Sequence, residues 1–471
     1  MAAPVWAAPA AAPESPHRLL VLSDIEADPD DTQSFVRLFL YANEIELQGL
    51  VATTSVWKRD SIAPESIHAL IDAYAKVHGN LLLHDKRYPT AEALHGLVRK
   101  GRPEYGMLGV GEGKDTDGSA RIIELLERAD DRPLWVSVWG GANTLAQALH
   151  TLRATRSPGE VDRLVAKLRV YTISDQDDSG PWLRANFPGL FYIVTPGGDY
   201  GSATWAGINT VIEGIDNSTI SNRWIAENLQ QGHGPLGAAY PDVAWGVEGD
   251  TPAFLGLIPN GLNAPEHPEW GGWGGRYTLQ QPVVPIADEK TFLAGKPIPQ
   301  ETRPIWTNAI DDHAPTTFPE YGRGTRLGEK LFRSAQASLW RWRDEFQRDF
   351  AARMDWTVRP FAEANHPPVL VLDREATITV SSGQSFGFDA RRSHDPDGDS
   401  LSFLWMPYRE AGSSDAVLKI NGAENAVLVS LTAPEVTETE TCHLILRVTD
   451  RGTPALTRYQ RIVVTVTPKA R

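Results

Sequence analysis

Cysteine is almost missing from this chain: of 471 residues, only Cys442 carries a thiol. That excludes an intramolecular disulfide framework and any multi-cysteine metal site. Cys442 alternates with Leu444, Leu446 and Val448, so it reads as a packed strand residue rather than a nucleophile. No run of about 18 apolar residues occurs, so no membrane span is expected. Basic charge is also short. Lys and Arg number 45 against 60 Asp and Glu, a net charge of −15. This balance argues against nucleic acid and against anionic membrane surfaces as partners, because both are bound mainly through Lys and Arg. Met is scarce at 4 copies, whereas Trp reaches 15. An indole face suits a sugar ring, although large cores use Trp as well. The 41% hydrophobic content excludes disorder, and the length predicts two domains.

Residues 1–17 form an Ala/Pro-rich segment with no basic start and no apolar centre. It reads as a flexible stretch left after signal cleavage, which makes the expected localisation secreted or periplasmic. Short apolar runs follow at 19–22, 47–52, 81–83, 134–139, 168–173 and 191–194. Helical-period segments alternate with them at 32–43, 63–77, 119–129 and 144–155. This alternation predicts an α/β domain over 18–355, with a mostly parallel sheet flanked by helices. Ligands in such sheets bind beyond the carboxyl ends of the strands. Residues 200–330 are rich in Gly, Pro and Trp, and loops of that length suit a binding site. A helix is expected over 331–354. A linker over 356–368, with Asn365-His366-Pro367-Pro368, leads to a region of period two at 369–471. About seven short strands there indicate an all-β immunoglobulin-like sandwich.

The most informative segment is LVLSDIEADPDDTQSF, residues 20–35. A strand is expected to end at Ser23, carboxylates follow at Asp24, Glu26, Asp30 and Asp31, and Thr32 opens a helix. Carboxylates crowded on one loop repel each other unless a cation neutralises them. Oxygen ligands with no nearby His or Cys suit a hard ion, Ca²⁺ or Mg²⁺. The other reading is a solvated acidic loop in which Asp30 and Asp31 stabilise a helix N-terminus.

Asp24-Ile25-Glu26-Ala27-Asp28-Pro29-Asp30-Asp31 resembles the D-x-D-P-G-x-D-D signature of the nucleoside hydrolases. GGANTLAQAL, residues 140–149, resembles their G-P-L-T-N-L-A loop. The whole chain is similar to a bacterial family of cellulose-binding proteins that joins a nucleoside-hydrolase-like domain to a C-terminal β-sandwich. The stretches 173–188, 248–262 and 265–277 carry that likeness. The resemblance implies a Ca²⁺, or Mg²⁺, held by Glu26, Asp31, the carbonyl near Asn143, and Asp250. Asp30 would be the base that deprotonates the metal-bound water, and Asp24 and Glu248 would touch substrate. Water attacking an oxocarbenium-like centre without a covalent intermediate would invert it. Three positions depart from the nucleoside hydrolases. Glu26 stands for an Asp, Val56-Trp57 follows TTS where they have a ribose-binding Asn, and Gly249 stands where many have a His. Trp57 offers a stacking face for a different sugar.

Asp175, Gln176, Asp177 and Asp178 follow an apolar run at the same sheet end, either contacting sugar hydroxyls or forming an Asx-rich turn. Trp270 and Trp273, in a glycine-rich loop, form either a sugar platform or a plug on the core. His233 and His267 are candidate acids or structural residues. Tyr200, Trp205 and Asn209 are candidates for the cleft wall. His394-Asp395-Pro396-Asp397-Gly398-Asp399 resembles the DPDGD turn of PKD- or cadherin-like modules. It is either a structural Ca²⁺ site or an ordinary turn, and Trp405 is expected in the sandwich core. No G-x-S-x-G elbow supports serine catalysis, and GVGEG lacks a P-loop Lys. The expected function is metal-dependent hydrolysis of a glycosidic bond in a carbohydrate, with plant cell wall as its source. Nucleoside N-glycosidic hydrolysis and non-catalytic polysaccharide binding are the alternatives. A homo-oligomer is compatible with the sequence.

Overall fold

Alternating apolar runs and amphipathic segments build a doubly wound sheet in the computed structural model, which describes residues 15–197, 200–212, 216–283, 299–314 and 331–469. Most of the expected Ala/Pro-rich segment lies outside these residues, and His17 already belongs to the first strand. The strands are β1 (His17–Ser23), β2 (Ile45–Ala52), β3 (Val98–Lys100), β4 (Leu134–Val138), β5 (Leu168–Ser174), β6 (Phe191–Thr195), β7 (Tyr277–Gln280) and β8 (Ile305–Asn308). They lie in the order β3-β2-β1-β4-β5-β6-β8-β7. All neighbours run parallel except β7, which is antiparallel to β8.

β1 is buried on both faces, as central strands of such sheets are. Leu19 and Val21 join one core with Phe35, Phe39 and Ile71, whereas Leu20 and Leu22 join the other with Ile122, Leu145 and Leu149. The expected helices form at Asp30–Leu40, Pro64–Ala75, Asp117–Glu127 and Asn143–Thr155. Two of their starts have plain causes. Pro64 occupies the first turn, where its missing N–H costs nothing, and Thr116 forms a capping box with Ser119.

Two expected elements differ. The run at 81–83 lies in a helix, His78–His84, where only Leu81 is buried. Three leucines, which are not branched at Cβ, favour helix over strand, and burial of Leu81 alone fits a helix that touches the core along a narrow stripe. The expected helix over 331–354 is broken into strand β10 (Phe332–Ser334), a short helix Ala337–Trp340 and a longer one Arg343–Asp355. β10 pairs with β9 (Asp311–His313), and the Ser334 hydroxyl accepts from the Ala337 amide, which ends the strand and starts the turn.

The C-terminal strands are β11 (Thr377–Ser381), β12 (Ser385–Asp389), β13 (Ser402–Pro407), β14 (Lys419–Asn421), β15 (Leu428–Thr432), β16 (Glu440–Thr449) and β17 (Thr457–Thr467). They make two sheets, β11-β17-β16-β13 and β12-β15-β14. Between them Trp405, Cys442, Leu444 and Leu446 are buried together. The outer face of the larger sheet is not free: Tyr408, Ile445 and Tyr459 belong to the same apolar core as Trp273, Trp342 and Phe346. The β17 backbone also bonds that domain, through Tyr459 N–H to the Asn260 carbonyl and Arg461 N–H to the Gly261 carbonyl, both 2.9 Å. The sandwich is thus a packing partner rather than a spacer. Asp395 Oδ1 accepts from the amides of Asp397 and Asp399, the bonding of an Asx turn, while Asp395 Oδ2 is buried with no partner among the described residues, and Asp397 bonds the His366 backbone and ring.

Candidate functional site

Strand order reverses between β1 and β4, and in open α/β sheets the crevice beyond the strand ends at that point is the usual ligand site. Here three chain segments meet. Trp139 N–H bonds the Leu22 carbonyl, Thr53 N–H bonds the Ser23 carbonyl, and Gly141 N–H bonds the Thr54 carbonyl, each at 2.8 Å. The packing leaves no room for larger residues: a Cβ on Gly140 would stand 2.7 Å from an Asp24 oxygen, and one on Gly141 would meet the Thr54 carbonyl at 2.6 Å. The acidic loop folds over this junction with Glu26 in a left-handed conformation, φ 77°. Asp28 Oδ1 accepts from the Asp30 amide at 3.0 Å, and Asp30 Oδ1 from the Asp31 amide at 2.9 Å. Ser23 donates its hydroxyl to Asp31.

A cleft of about 680 Å³ opens above this loop. Asp24, Asp28, Asp30, Asp31 and Asp250 make its floor, Trp139, Ile173, Tyr200 and Trp205 its walls, and Trp57 and Trp245 its rim. Asp250 arrives from far along the chain because its loop is clamped to the helix that follows the acidic loop. Glu248 N–H donates to Gln33 Oε1 at 2.8 Å, the Thr251 and Ser34 hydroxyls lie 3.0 Å apart, and Glu248 forms a fully buried ion pair with Arg37 at 2.7 Å.

Burial pushes the Asp24 carboxyl up to about 6. Burial also raises Asp30, Asp31 and Asp250 well above the carboxylate range, and the negative charges of their neighbours add to the rise. Asp28, Asp30 and Asp31 each present an oxygen within 4.8 Å of the others. Asp250 Oδ2 is buried with no hydrogen-bond partner among the described residues. Three clustered, mutually repelling carboxylates, with the unpartnered Asp250 oxygen on the same cleft floor, fit a hard divalent cation.

A family model described as cellulose-binding Sde182, nucleoside hydrolase-like domain, matches residues 18–277. A second, described as cellulose-binding protein Sde0182, C-terminal domain, matches residues 385–466. The chain belongs to the Sde182 family. A solved structure of a nucleoside hydrolase-related hypothetical protein from Saccharophagus degradans, associated with carbohydrate metabolism, is 33% identical with a TM-score of 0.80, over 96% of this chain and 100% of that one. An effector protein, XOO4466, aligns at 13% identity and a TM-score of 0.35 over 62% of this chain and 88% of that one, too slight a likeness to support an argument. No curated protein matches the chain.

In this Sde182-family chain the structure gathers Asp24, Asp30, Asp31, Trp57, Gln176 and Asp250 around one cleft, together with Tyr200, Trp205 and Asn209. Other expectations need correction. Glu26, the expected metal ligand, turns outward: its carboxylate bonds Lys58 Nζ at 2.8 Å and the Ser66 hydroxyl, which hold it below its ordinary pKa. Asp28 stands at the floor instead. Asn143 is not among the residues lining the cleft, and its side-chain amide donates to Thr54 and to the Glu104 carbonyl and accepts from Thr53, which bears on the side chain and not on the expected backbone carbonyl. Glu248 lies beneath the floor with Arg37 and Tyr240. Asp175 is consumed by a two-pronged bond to Arg184 at 2.8 and 2.9 Å. Asp177 is sealed behind Gly141, and Asp178 accepts from the Met107 amide beside a separate cavity. Trp270 stacks on His267 at 3.9 Å and packs edge-on to His443, while Trp273 is fully buried against Phe346 and Tyr459. That loop is a plug between the domains. His233 pairs with Asp355 and His267 with Glu269, so neither faces the cleft.

Sequence reasoning passed over Asp28 and Trp245. The D-P-D-D spelling around Pro29 was a usable signal for Asp28. Trp245 had none, since an exposed loop indole looks like any other in a sequence.

Proposed function

We propose that the chain is a secreted, metal-dependent glycoside hydrolase acting on a plant cell-wall carbohydrate. The observation that carries this reading is a buried carboxylate floor beneath an aromatic-walled cleft at the point where strand order reverses. The family's cellulose-binding description, and the association of the Saccharophagus relative with carbohydrate metabolism, support the same substrate class.

We assign Ca²⁺, with Mg²⁺ as the variant, to Asp28, Asp30, Asp31 and Asp250. When bound, such an ion supplies the positive charge that keeps these carboxylates ionised and makes a neighbouring water more acidic. Asp30 is the base that takes a proton from the water attacking the anomeric carbon, while the glycosidic C–O bond breaks and the departing sugar oxygen takes a proton from a water molecule. Gln176 donates its Nε2 to the Trp139 carbonyl at 2.7 Å, which fixes its side chain in the cleft wall. Trp139 and Trp205 exclude bulk water and give the sugar an apolar wall.

Release of reducing ends from plant cell-wall glycans, with added Ca²⁺ and with EDTA, tests the reading. Turnover is expected only with the metal, and Asp30→Asn should lower kcat by about 100-fold or more without lowering Tm. An unchanged rate in that variant would remove Asp30 from the reaction. Non-catalytic polysaccharide binding is the second reading, favoured by the two indoles at the mouth, 60% and 89% exposed. Glycan binding without turnover by the metal-loaded wild type would select it. Secretion fails if fractionation finds the native gene product only in the cytosol.

A further inference from the structure

Among the described residues that line the cleft there is no Lys, Arg or His. Its charged lining consists of five carboxylates, and one divalent cation offsets only two negative charges. Anions are gripped in proteins by Arg, Lys, helix N-terminal amides or a bound cation, and of these the cleft lining leaves only the cation. A uronate, a sulfated or phosphorylated sugar or a nucleotide entering this cleft would therefore meet net repulsion from the carboxylates that a single divalent cation leaves unbalanced. Specificity built this way works by rejecting the wrong partner as much as by gripping the right one.

The rim carries the complementary signal. Trp57 comes from the loop after β2 and Trp245 from the loop that leads to Asp250, yet both open onto the same cleft. Trp245 is the most exposed large apolar side chain among the described residues, at 89%. Its loop is seated firmly: a Cβ on the adjacent Gly246 would lie 2.5 Å from Asn209 Nδ2. Two tryptophans from separate loops, held at the mouth of one cleft, offer flat apolar faces beyond the carboxylate floor. The volume of about 680 Å³ falls in the ~300–1,000 Å³ range of pockets that take drug-sized ligands, larger than one sugar ring requires.

We infer that this site takes an uncharged saccharide of two or more rings, one on the carboxylate floor and the next against Trp57 and Trp245. The inference rests on the carbohydrate reading of the site but not on turnover. Trp245 and Trp57 set chain-length preference, and the all-acidic lining sets the preference for neutral glycans.

A panel of immobilised plant oligosaccharides, neutral and uronate-bearing, probed with Ca²⁺-loaded full-length protein tests this. Signals are expected on neutral chains of two or more rings and not on oligogalacturonates. For the best neutral ligand, Trp245→Ala should weaken binding of the disaccharide and trisaccharide about tenfold or more in calorimetry, while its monosaccharide changes little. Trp57→Ala should show the same pattern. Binding of acidic chains at equal strength, absence of signal on every neutral chain, or equal losses for mono- and oligosaccharide would each overturn the inference. Neutral-chain binding with no hydrolysis would refute the catalytic reading alone and leave this one standing.

Discussion

Asp177 lies behind Gly141, its Oδ1 bonded to the Ser179 amide at 2.9 Å and its Oδ2 buried with no partner among the described residues. Burial lifts this carboxyl to about 6. The unfolded value is near 3.9, so the stabilising share of the group is complete below about pH 4 and disappears as pH rises through 6. A gap of about two units corresponds to roughly 3 kcal/mol. Asp177→Asn should therefore flatten the fall of Tm between pH 4 and pH 8, and a slope equal to wild type would refute this account. Residue identity at the acidic loop was only partly legible. Asp30 and Asp31, from the crowded carboxylate run, and Asp250, from the resemblance alone, do line one cleft. Glu26 misled, since its motif position is right but Lys58, 32 residues on, captures its carboxylate. No single sequence marks such a partner.

At the level of elements, the Arg37–Glu248 pair joins the helix that begins at Asp30 to the loop that carries Asp250. Glu248 sits at φ 49°, a left-handed conformation that costs of order 1–3 kcal/mol and persists here under the grip of Arg37, Tyr240 and Gln33. Breaking a buried pair by removing one charge costs about 3–5 kcal/mol. Glu248→Gln should lower Tm and weaken Ca²⁺ binding in calorimetry, because the two halves of the floor lose their register. A fall in Tm with unchanged Ca²⁺ affinity would reduce the clamp to a purely structural contact. Sequence periodicity located the central strands and the four flanking helices well, since burial on both faces leaves an unmistakable apolar run. It failed at the edges. β3, β7 and β8 are short or half-exposed, and the Trp270–Trp273 loop has no period to read. Its destination depends on the sandwich packed against it.

Across the whole molecule, the division into an α/β part and a β part was plain from the change of period, and both family matches fall within those limits. The depth of their contact was not, because Tyr408, Ile445 and Tyr459 look like any strand residues until a second body covers them. Charge reinforces the seam. Burial alone would raise the Asp349 carboxyl, but Arg458 at 2.6 Å and Arg353 at 3.0 Å hold it well below its ordinary value. Full-length protein is expected to melt in one calorimetric transition, and a chain ending at residue 368 should be insoluble or lack a cooperative melt. Two resolved transitions, or a well-folded truncated chain, would refute this coupling. The β17 backbone bonds to Asn260 and Gly261 then bear on how such proteins can be rebuilt. A tethered carbohydrate module can be excised, swapped or fused elsewhere, because its only tie is a string of residues. This sandwich serves as one wall of its neighbour, so recombination at the connecting segment would strip that wall away, and the two parts can be inherited or engineered only together.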